Sequence, residues 1–251
     1  GSGILEKTGS LMFSAGLKGK VLIVTQKRIP AGHLLKVKTS LSKSGFDVRV
    51  FFLPDGEIAK SQQNLFKVYS VLLKNGFERR DTILALGGGV TGDLTGFAAA
   101  TYLRGIPFVN LPTTLLAQVD SAIGGKTGIN LKEGKNLVGA FYPPKLVISD
   151  AEALKTLPER ELKAALGEVV KYGVISDAKL FKRLEDVTLK DLKNNNTLLA
   201  KIVEACSRIK AGVVSRDEFE TSGKRMILNF GHTFGHGFEK AFNYKKILHG
   251  E

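Results

Sequence analysis

The stretch Ile83–Asp93, ILALGGGVTGD, constrains the fold more than any other part of the chain. Four apolar residues, Ile83 to Leu86, run into Gly87-Gly88-Gly89 and then Val90-Thr91-Gly92-Asp93. The LTGFAAATYLRG that follows has the texture of a helix. Strand, glycine turn and helix in that order place the N–H groups of a helix N-terminus where a diphosphate can be held. Gly87, Gly89 and Gly92 keep the G-x-G-x-x-G register. Two readings stand side by side, a dinucleotide seat and a tight packing turn. An ordinary dinucleotide fold carries an acid at the end of the next strand for the ribose hydroxyls. Here that strand ends Asn110-Leu111-Pro112, with no acid. A nucleotide fold built on this turn therefore departs from the usual one. Asp93, which a diphosphate would repel, belongs at the nicotinamide end or on a substrate hydroxyl.

The chain around the turn alternates. Residues 20–25 (KVLIVT) and 47–53 (DVRVFFL) read as strands, 82–86 as a third and 106–111 (IPFVNL) as a fourth. Between them, Pro30–Ser44 and Ser61–Asn75 have apolar residues at helical spacing and end before Gly45 and Gly76. A helix is expected over 92–103. This alternation predicts a parallel, doubly wound α/β sheet. From about Ser149 the periodicity becomes helical. Pro158 begins a helix with Glu159 and Glu161 in its first turn, Asn194-Asn195-Asn196 breaks the pattern, and 197–214 is a long helix. The expectation is an α/β nucleotide-binding domain over 1–149 and a helical domain over 150–251, with ligands in the cleft at the strand ends.

Composition narrows the partners. Of the 251 residues, 43% are hydrophobic and 24% charged, as in an ordinary globular protein. No apolar run approaches the roughly 18 residues of a membrane span. A lone cysteine, Cys206, cannot form an internal disulfide and fits a reducing compartment, the cytoplasm. The net charge of +13 is spread along the chain without basic runs, and no aromatic–basic alternation offers a stacking platform. An anionic small substrate accounts for the charge better than nucleic acid does. The opening GSGILEKTG without Met, and a stop straight after His249-Gly250-Glu251, suggest a piece of a longer protein.

Two further stretches carry chemistry. Residues 120–140, DSAIGGKTGINLKEGKNLVGA, contain a tempting Gly-Lys-Thr, but position 120 is Asp where a phosphate-binding P-loop needs Gly. What remains is a glycine-rich loop with Asp120, Lys126, Lys135 and Asn136, following a helix opened by Thr113-Thr114. Three of the four histidines, His232, His236 and His249, crowd the last twenty residues. His232 and His236 share a helix face. Thr233 stands where a zincin has Glu, which removes the protease reading. A turn at Asn243–Lys246 would fold His249 back towards the pair. Two imidazoles and a carboxylate are an ordinary zinc set, and Glu168 in LGEVVKYG, with Lys171 on the same face, is the candidate acid. A hydrogen-bonded histidine pair without metal explains the spacing equally well.

GGGVTGDLTGF, LPTTLLAQVDSAIGGKTGIN, GKNLVGAF, LGEVVKYG, NFGHTFGH and the closing HGE, in this order, resemble the 3-dehydroquinate synthase family from about residue 3 to 251. Members of that family start with an extra strand or so and continue through more helical domain after HGE. The resemblance implies NAD, one divalent metal (zinc or cobalt) and a homodimer. It implies conversion of the phosphorylated seven-carbon sugar acid DAHP into 3-dehydroquinate and phosphate, in the shikimate route to aromatic amino acids. The order of chemistry would be transient oxidation by NAD, phosphate elimination, re-reduction and aldol closure. Carried over by motif, the metal ligands would be Glu168, His232 and His249. The catalytic residues would be His236, Lys126 and Lys171. Substrate contacts would be Asp120, Lys135, Asn136, Lys210, Arg225 and Asn229, with Arg104 reaching a neighbouring subunit's site. NAD contacts would be Glu57, Lys60, Gly88, Gly89, Asp93, Thr113, Thr114 and Thr156. Where the family often has a polar or acidic residue for the adenosine ribose, this chain has Thr25 and Gln26. The alternatives are a related sugar-phosphate cyclase making an aminocyclitol precursor, whose substrate lacks the carboxylate that Lys210 and Arg225 would meet, and a non-catalytic NAD-binding fragment.

Overall fold

The computed structural model describes residues 1–242 and 246–251, so most of the expected turn at 243–246 lies outside the described residues. The chain divides into two compact units. The first comprises Gly3–Thr113 and Gly125–Asp150, with Gly1; the second comprises Thr114–Gly124 and Ala151–Glu251, with Ser2.

The first unit opens with a 3-10 turn, Ile4–Lys7, and helix α1 (Thr8–Ser14). It continues through β1 (Lys20–Gln26), α2 (Ala31–Lys43), β2 (Asp47–Leu53), α3 (Gln62–Lys74), β3 (Thr82–Gly87), α4 (Gly89–Thr101) and β4 (Phe108–Pro112). A hairpin of β5 (Lys126–Ile129) and β6 (Val138–Phe141) precedes the short β7 (Leu146–Val147). The main sheet is parallel in every pairing, in the order β2-β1-β3-β4-β7. Chain direction across this sheet reverses between β1 and β3, so the ligand-binding end of such a sheet is the carboxyl end of those two strands. Gln26 ends one and Gly87 the other.

The central strands β1, β3 and β4 are largely apolar runs because both of their faces are covered. Leu22, Val24, Ile83 and Ala85 pack with Leu65, Val68 and Leu72 of α3 and with Leu94, Phe97 and Ala98 of α4. Their neighbours Val21, Ile23, Leu84 and Leu86 point to the other face and are equally buried. Helix α4 starts three residues before the expected 92, because the glycine turn is itself the first helical turn: Gly88 is the N-cap and Gly89 the first helical residue. Gly96 lets α4 lie against the hairpin and β4. A Cβ there would sit 2.4 Å from Thr127 Cγ2 and 3.0 Å from Phe108 Cε1.

The second unit is helical: α5 (Glu159–Ser176), α6 (Ala178–Glu185), α7 (Leu189–Asn194), α8 (Asn196–Val214) and α9 (His232–Ala241). Pro158 stands at the N-cap of α5, and the Asn195 side chain accepts from Leu198 N–H at 2.9 Å to start α8. Leu162, Ala165, Val169 and Tyr172 of α5 pack with Leu199, Ile202, Val203 and Cys206 of α8, and with Leu115 and Val119. The turn carrying Val119, Ala117–Ser121, is π-helical, a form concentrated at functional sites. None of the helices is long and apolar enough to cross a membrane among the described residues.

The glycine-rich stretch after Asp120, expected as a loop, is the β5–β6 hairpin from Lys126 to Phe141. Its strands are four residues long and contain Gly128 and Gly139, which erase the two-residue hydrophobic alternation.

Gly96→Ala should lower the thermal midpoint. Overpacking costs about 1–3 kcal/mol and offsets the roughly 1 kcal/mol helix gain. Gly212→Ala in α8 meets nothing within 4 Å and should raise the midpoint by the equivalent of about 0.5–1 kcal/mol.

Candidate functional site

Two groups of side chains gather the candidate residues, one in each unit. In the second unit the focus is Glu168 on α5, only 4% exposed. His249 Nε2 lies 3.2 Å and His232 Nε2 3.6 Å from its Oε1, while Lys171, one turn on, pairs with its Oε2. The other nitrogen of each histidine is also engaged. His232 Nδ1 is 3.2 Å from the Phe230 carbonyl, and His249 Nδ1 is 2.8 Å from Glu239 Oε1. Both partners accept, so each Nδ1 carries hydrogen and each Nε2 faces Glu168. Imidazoles that ligate a metal are held in this way by an acceptor behind them. One oxygen and two nitrogens converging within 4.8 Å of one another make a donor set suited to zinc or cobalt. The residues therefore fit the metal that the resemblance implies.

The local sequence explains how His249 reaches α5. Gly250 has φ +92, and a Cβ on it would lie 2.1 Å from the Ala164 carbonyl oxygen. A Cβ on Gly167 would meet Gly250 O at 2.7 Å. Two facing glycines thus bring the backbone of the closing HGE against the helix that bears Glu168. Glu251 then locks to Arg160 through two 2.8 Å hydrogen bonds. The hydrogen bond that His249 donates to Glu168 outweighs burial and raises the pKa of His249 to about 9; the Glu239 contact adds to it. Burial lowers that of His232. His236 is exposed, with its ring 5.2 Å from that of His232 and 5.7 Å from that of His249.

Asp120 is the second centre of this unit. Lys210 Nζ donates to its Oδ1 at 2.6 Å and to its backbone carbonyl at 2.7 Å, and Tyr172 OH donates to Oδ1 at 2.8 Å. Burial alone would raise the Asp120 pKa; Lys210 and Lys171, with these hydrogen bonds, outweigh it and hold the carboxyl at about 2. Burial lowers the pKa of Lys210 in turn, more than Asp120 raises it. Burial and the nearby Asp120 charge push the Tyr172 phenol well above its ordinary range, so it stays a donor. Arg225 is buried, donating to the Glu218 and Gly124 carbonyls at 3.0 and 3.3 Å.

In the first unit the focus is the Lys60–Asp93 pair at 2.5 Å, with Lys60 only 4% exposed. Lys60 also donates to Asn136 Oδ1. The sequence raised the difficulty of an acid beside a diphosphate; the structure answers it with a buried ammonium on that acid. Gly88 and Gly89 form the start of α4. Thr113 follows β4, its N–H bonded to Gly87 O at 2.9 Å, and its buried Oγ1 has no hydrogen-bond partner among the described residues. An orphaned hydroxyl beside the glycine turn fits a ligand seated there. In place of a ribose acid, Gln26 uses its amide on the Pro54 and Gly56 carbonyls at 2.8 and 3.3 Å, while Thr25 donates to Leu86 O.

The remaining candidates are more dispersed. Lys126 opens β5 and Lys135 lies on the hairpin loop, both exposed. Thr114 caps the turn after it, accepting from Ala117 N–H at 3.2 Å, and Thr156 donates to Ala153 O at 3.0 Å. Neither group's hydrogen bonds include Arg104 or Asn229 among the described residues. Arg104 sits on strained backbone, with Leu103 and Arg104 at φ +50 and +65, a conformation that costs about 1–3 kcal/mol per residue and concentrates at functional positions. Sequence reasoning missed Tyr172 and Glu239. The signal for Glu239 was present in HTFGHGFE, where it follows His236 by one helical turn.

Two family descriptions match the chain: 3-dehydroquinate synthase N-terminal over residues 50–164 and 3-dehydroquinate synthase C-terminal over 165–251. The 3-dehydroquinate synthase of Geobacter metallireducens is 50% identical over 251 residues, covering 100% of this chain and 69% of that protein. Among solved structures, 2-deoxy-scyllo-inosose synthase complexed with carbaglucose-6-phosphate, NAD+ and Co2+ superposes with a TM-score of 0.86 at 30% identity, over 100% of this chain and 68% of that one. ValA, the 2-epi-5-epi-valiolone synthase of Streptomyces hygroscopicus subsp. jinggangensis 5008 with NAD+ and Zn2+ bound, also gives 0.86, at 29% identity over 95% and 66%.

The Asp120 environment makes stability depend on pH. Its folded pKa of about 2 lies below the unfolded value of about 3.9. The contribution is therefore complete above about pH 4 and is lost as pH falls towards 2. Asp120→Asn, which leaves Lys210 buried without its counter-charge, should cost about 3 kcal/mol at pH 7. Denaturant titrations at successive pH values should show the gap to the parent protein narrowing by up to about 2 kcal/mol between pH 4 and 2. A gap independent of pH would contradict the electrostatic account.

Proposed function

This chain belongs to the 3-dehydroquinate synthase family, and on that premise we propose that it converts DAHP into 3-dehydroquinate and phosphate, as a carbon–oxygen lyase dependent on NAD and one divalent metal. The observation that carries the reading is the convergence of His232 Nε2 and His249 Nε2 on Glu168 Oε1. Identity of 50% to a 3-dehydroquinate synthase, against 30% to 2-deoxy-scyllo-inosose synthase, favours this product over an aminocyclitol precursor.

Glu168, His232 and His249 would hold the metal, which supplies Lewis-acid polarisation of a substrate hydroxyl. Glu57, Lys60, Gly88, Gly89, Asp93 and Thr113 are the first unit's contacts to NAD, which supplies a hydride acceptor that is restored within each turnover. The α4 N-terminus suits the diphosphate, and Lys60 offsets the charge of Asp93 beside it.

The chain's own groups do the rest. Asp120, ionised down to about pH 2, accepts a hydrogen bond from a substrate hydroxyl and orients it. Lys171, Lys210 and Arg225 in the second unit, and Lys126 and Lys135 in the first, attract the phosphate and carboxylate of a doubly anionic substrate. Asn136 and Asn229 add neutral hydrogen bonds that fix its orientation. His236, exposed at the edge of the histidine group, moves protons to and from the substrate. A homodimer in which Arg104 serves the neighbouring subunit, and a cytoplasmic setting that keeps the buried Cys206 reduced, belong to the same reading.

The protein supplied with DAHP, NAD and Co2+ should release inorganic phosphate without net accumulation of NADH, and chelation should stop it. Phosphate release that persists unchanged in His232→Ala would overturn the metal assignment. Glu239→Ala should weaken Co2+ binding by about 10–100-fold, because the acceptor behind His249 is lost. Glu239→Gln, which keeps an acceptor, should recover part of that loss in the same spectroscopic titration.

A further inference from the structure

Asn130 is absent from the residues assigned above, yet it joins three of them. It follows β5, in the first unit. Its side-chain amide donates to Glu57 Oε1 at 2.7 Å, and its side-chain oxygen accepts from Asn136 N–H at 3.0 Å. Its own N–H donates to the Lys60 carbonyl at 2.8 Å, and it forms a parallel bridge with Ser61. One residue thus fastens the 57–61 segment and the 130–136 loop through two side-chain bonds and one backbone bridge, of which the bond to Lys60 is part. The 130–136 loop is largely exposed, while the 57–61 segment exposes Glu57 and Ile58 and buries Ala59 and Lys60. Their other link is the Lys60 ammonium on Asn136.

The geometry points to Asn130 as a positioning residue for NAD, acting through Glu57 and through the Lys60–Asn136 contact; this rests on the NAD reading of that segment. The amide carries its donor and its acceptor on separate atoms, so it serves both partners at once. Its donor ends at a carboxylate, so the bond is charge-assisted and among the stronger kinds. Its acceptor holds Asn136 at φ +58, a left-handed conformation that asparagine tolerates better than most residues but still adopts at a cost. An ordinary loop bond would stabilise the fold alone. Here the bond fixes where a carboxylate and an amide, both candidate ligand contacts, are presented.

The test is a mutant cycle read by calorimetry with NAD+ on the metal-loaded protein. Asn130→Asp keeps the acceptor for Asn136 and turns the donor towards Glu57 into a like charge. It should raise the Kd for NAD+ about tenfold, the loss of one hydrogen bond to a charged group, with little change in thermal midpoint. In kinetics the KM for NAD should rise more than kcat falls. Asn130→Ala, which removes both bonds without adding charge, should raise the Kd severalfold. Glu57→Gln alone should also weaken NAD+. Combining Glu57→Gln with Asn130→Asp exchanges the two roles, an amide at the first position now donating to a carboxylate at the second, so the combined loss should be smaller than the product of the single losses. If Glu57→Gln weakens NAD+ while Asn130→Asp and Asn130→Ala leave it unchanged, or if the losses multiply, the role of Asn130 is overturned while the NAD reading stands. If Glu57→Gln leaves the Kd unchanged, the NAD reading of this segment fails and the role of Asn130 with it.

Discussion

A carboxylate with 4% of its surface exposed dictates how the second unit is built around it. Glu168 sits in α5 between a lysine and two histidines, and an ion removed from water this far must be compensated or protonated. Burial works to raise its pKa, and the bonds from His249 and Lys171 bring it down instead. Each compensating group comes from a different place in the chain. Lys171 is one turn along the same helix, His232 opens α9, and His249 arrives on the closing segment. The facing glycines at 167 and 250 matter for this reason. Any side chain at either position would push the closing segment off the helix and remove a nitrogen from the carboxylate.

The same rule governs the other buried ions. Lys60 is paired with Asp93 and Lys210 with Asp120, each lysine about 5% exposed. Every such pair is partly satisfied by a further polar group: Asn136 in one case, Tyr172 in the other. Pairs of this kind add little to stability compared with apolar residues of similar size. Lys210 holds Asp120 ionised and oriented, and Lys60 orients Asp93.

Much of this was legible in the sequence, for identifiable reasons. The parallel sheet announced itself because strands buried on both faces are continuous apolar runs, as in KVLIVT and TILALG. The helical unit showed in its period and in its caps at Pro158 and Asn195. The clustering of His232, His236 and His249 was readable because histidines are scarce here and two share a helix face. The hairpin at 126–141 was not legible. Four-residue strands containing glycine carry no period, and their pairing is set by contacts with α4 through Gly96 that only the folded chain reveals. Asn130 and Glu239 escaped for a different reason. Each contacts a residue beyond a loop or turn: the spacing of Glu239 from His236 points to the histidine group but not to His249, and Asn130 in its loop gives no sign of Glu57.

The charge of the chain can now be placed. Its excess of thirteen positive charges is not carried by the buried lysines, since Lys60, Lys171 and Lys210 each have an acid against them. The excess lies among the exposed lysines and arginines. These two populations act differently on an anionic ligand. Exposed cations draw it in through a field that salt screens. A buried lysine already engaged by a carboxylate binds an incoming anion only if that anion competes for its protons or shares them. A neutral sugar brings nothing to that competition, whereas a phosphate or carboxylate does. On the function proposed above, selectivity for a charged substrate therefore rests on the acids beside the lysines as much as on the lysines themselves.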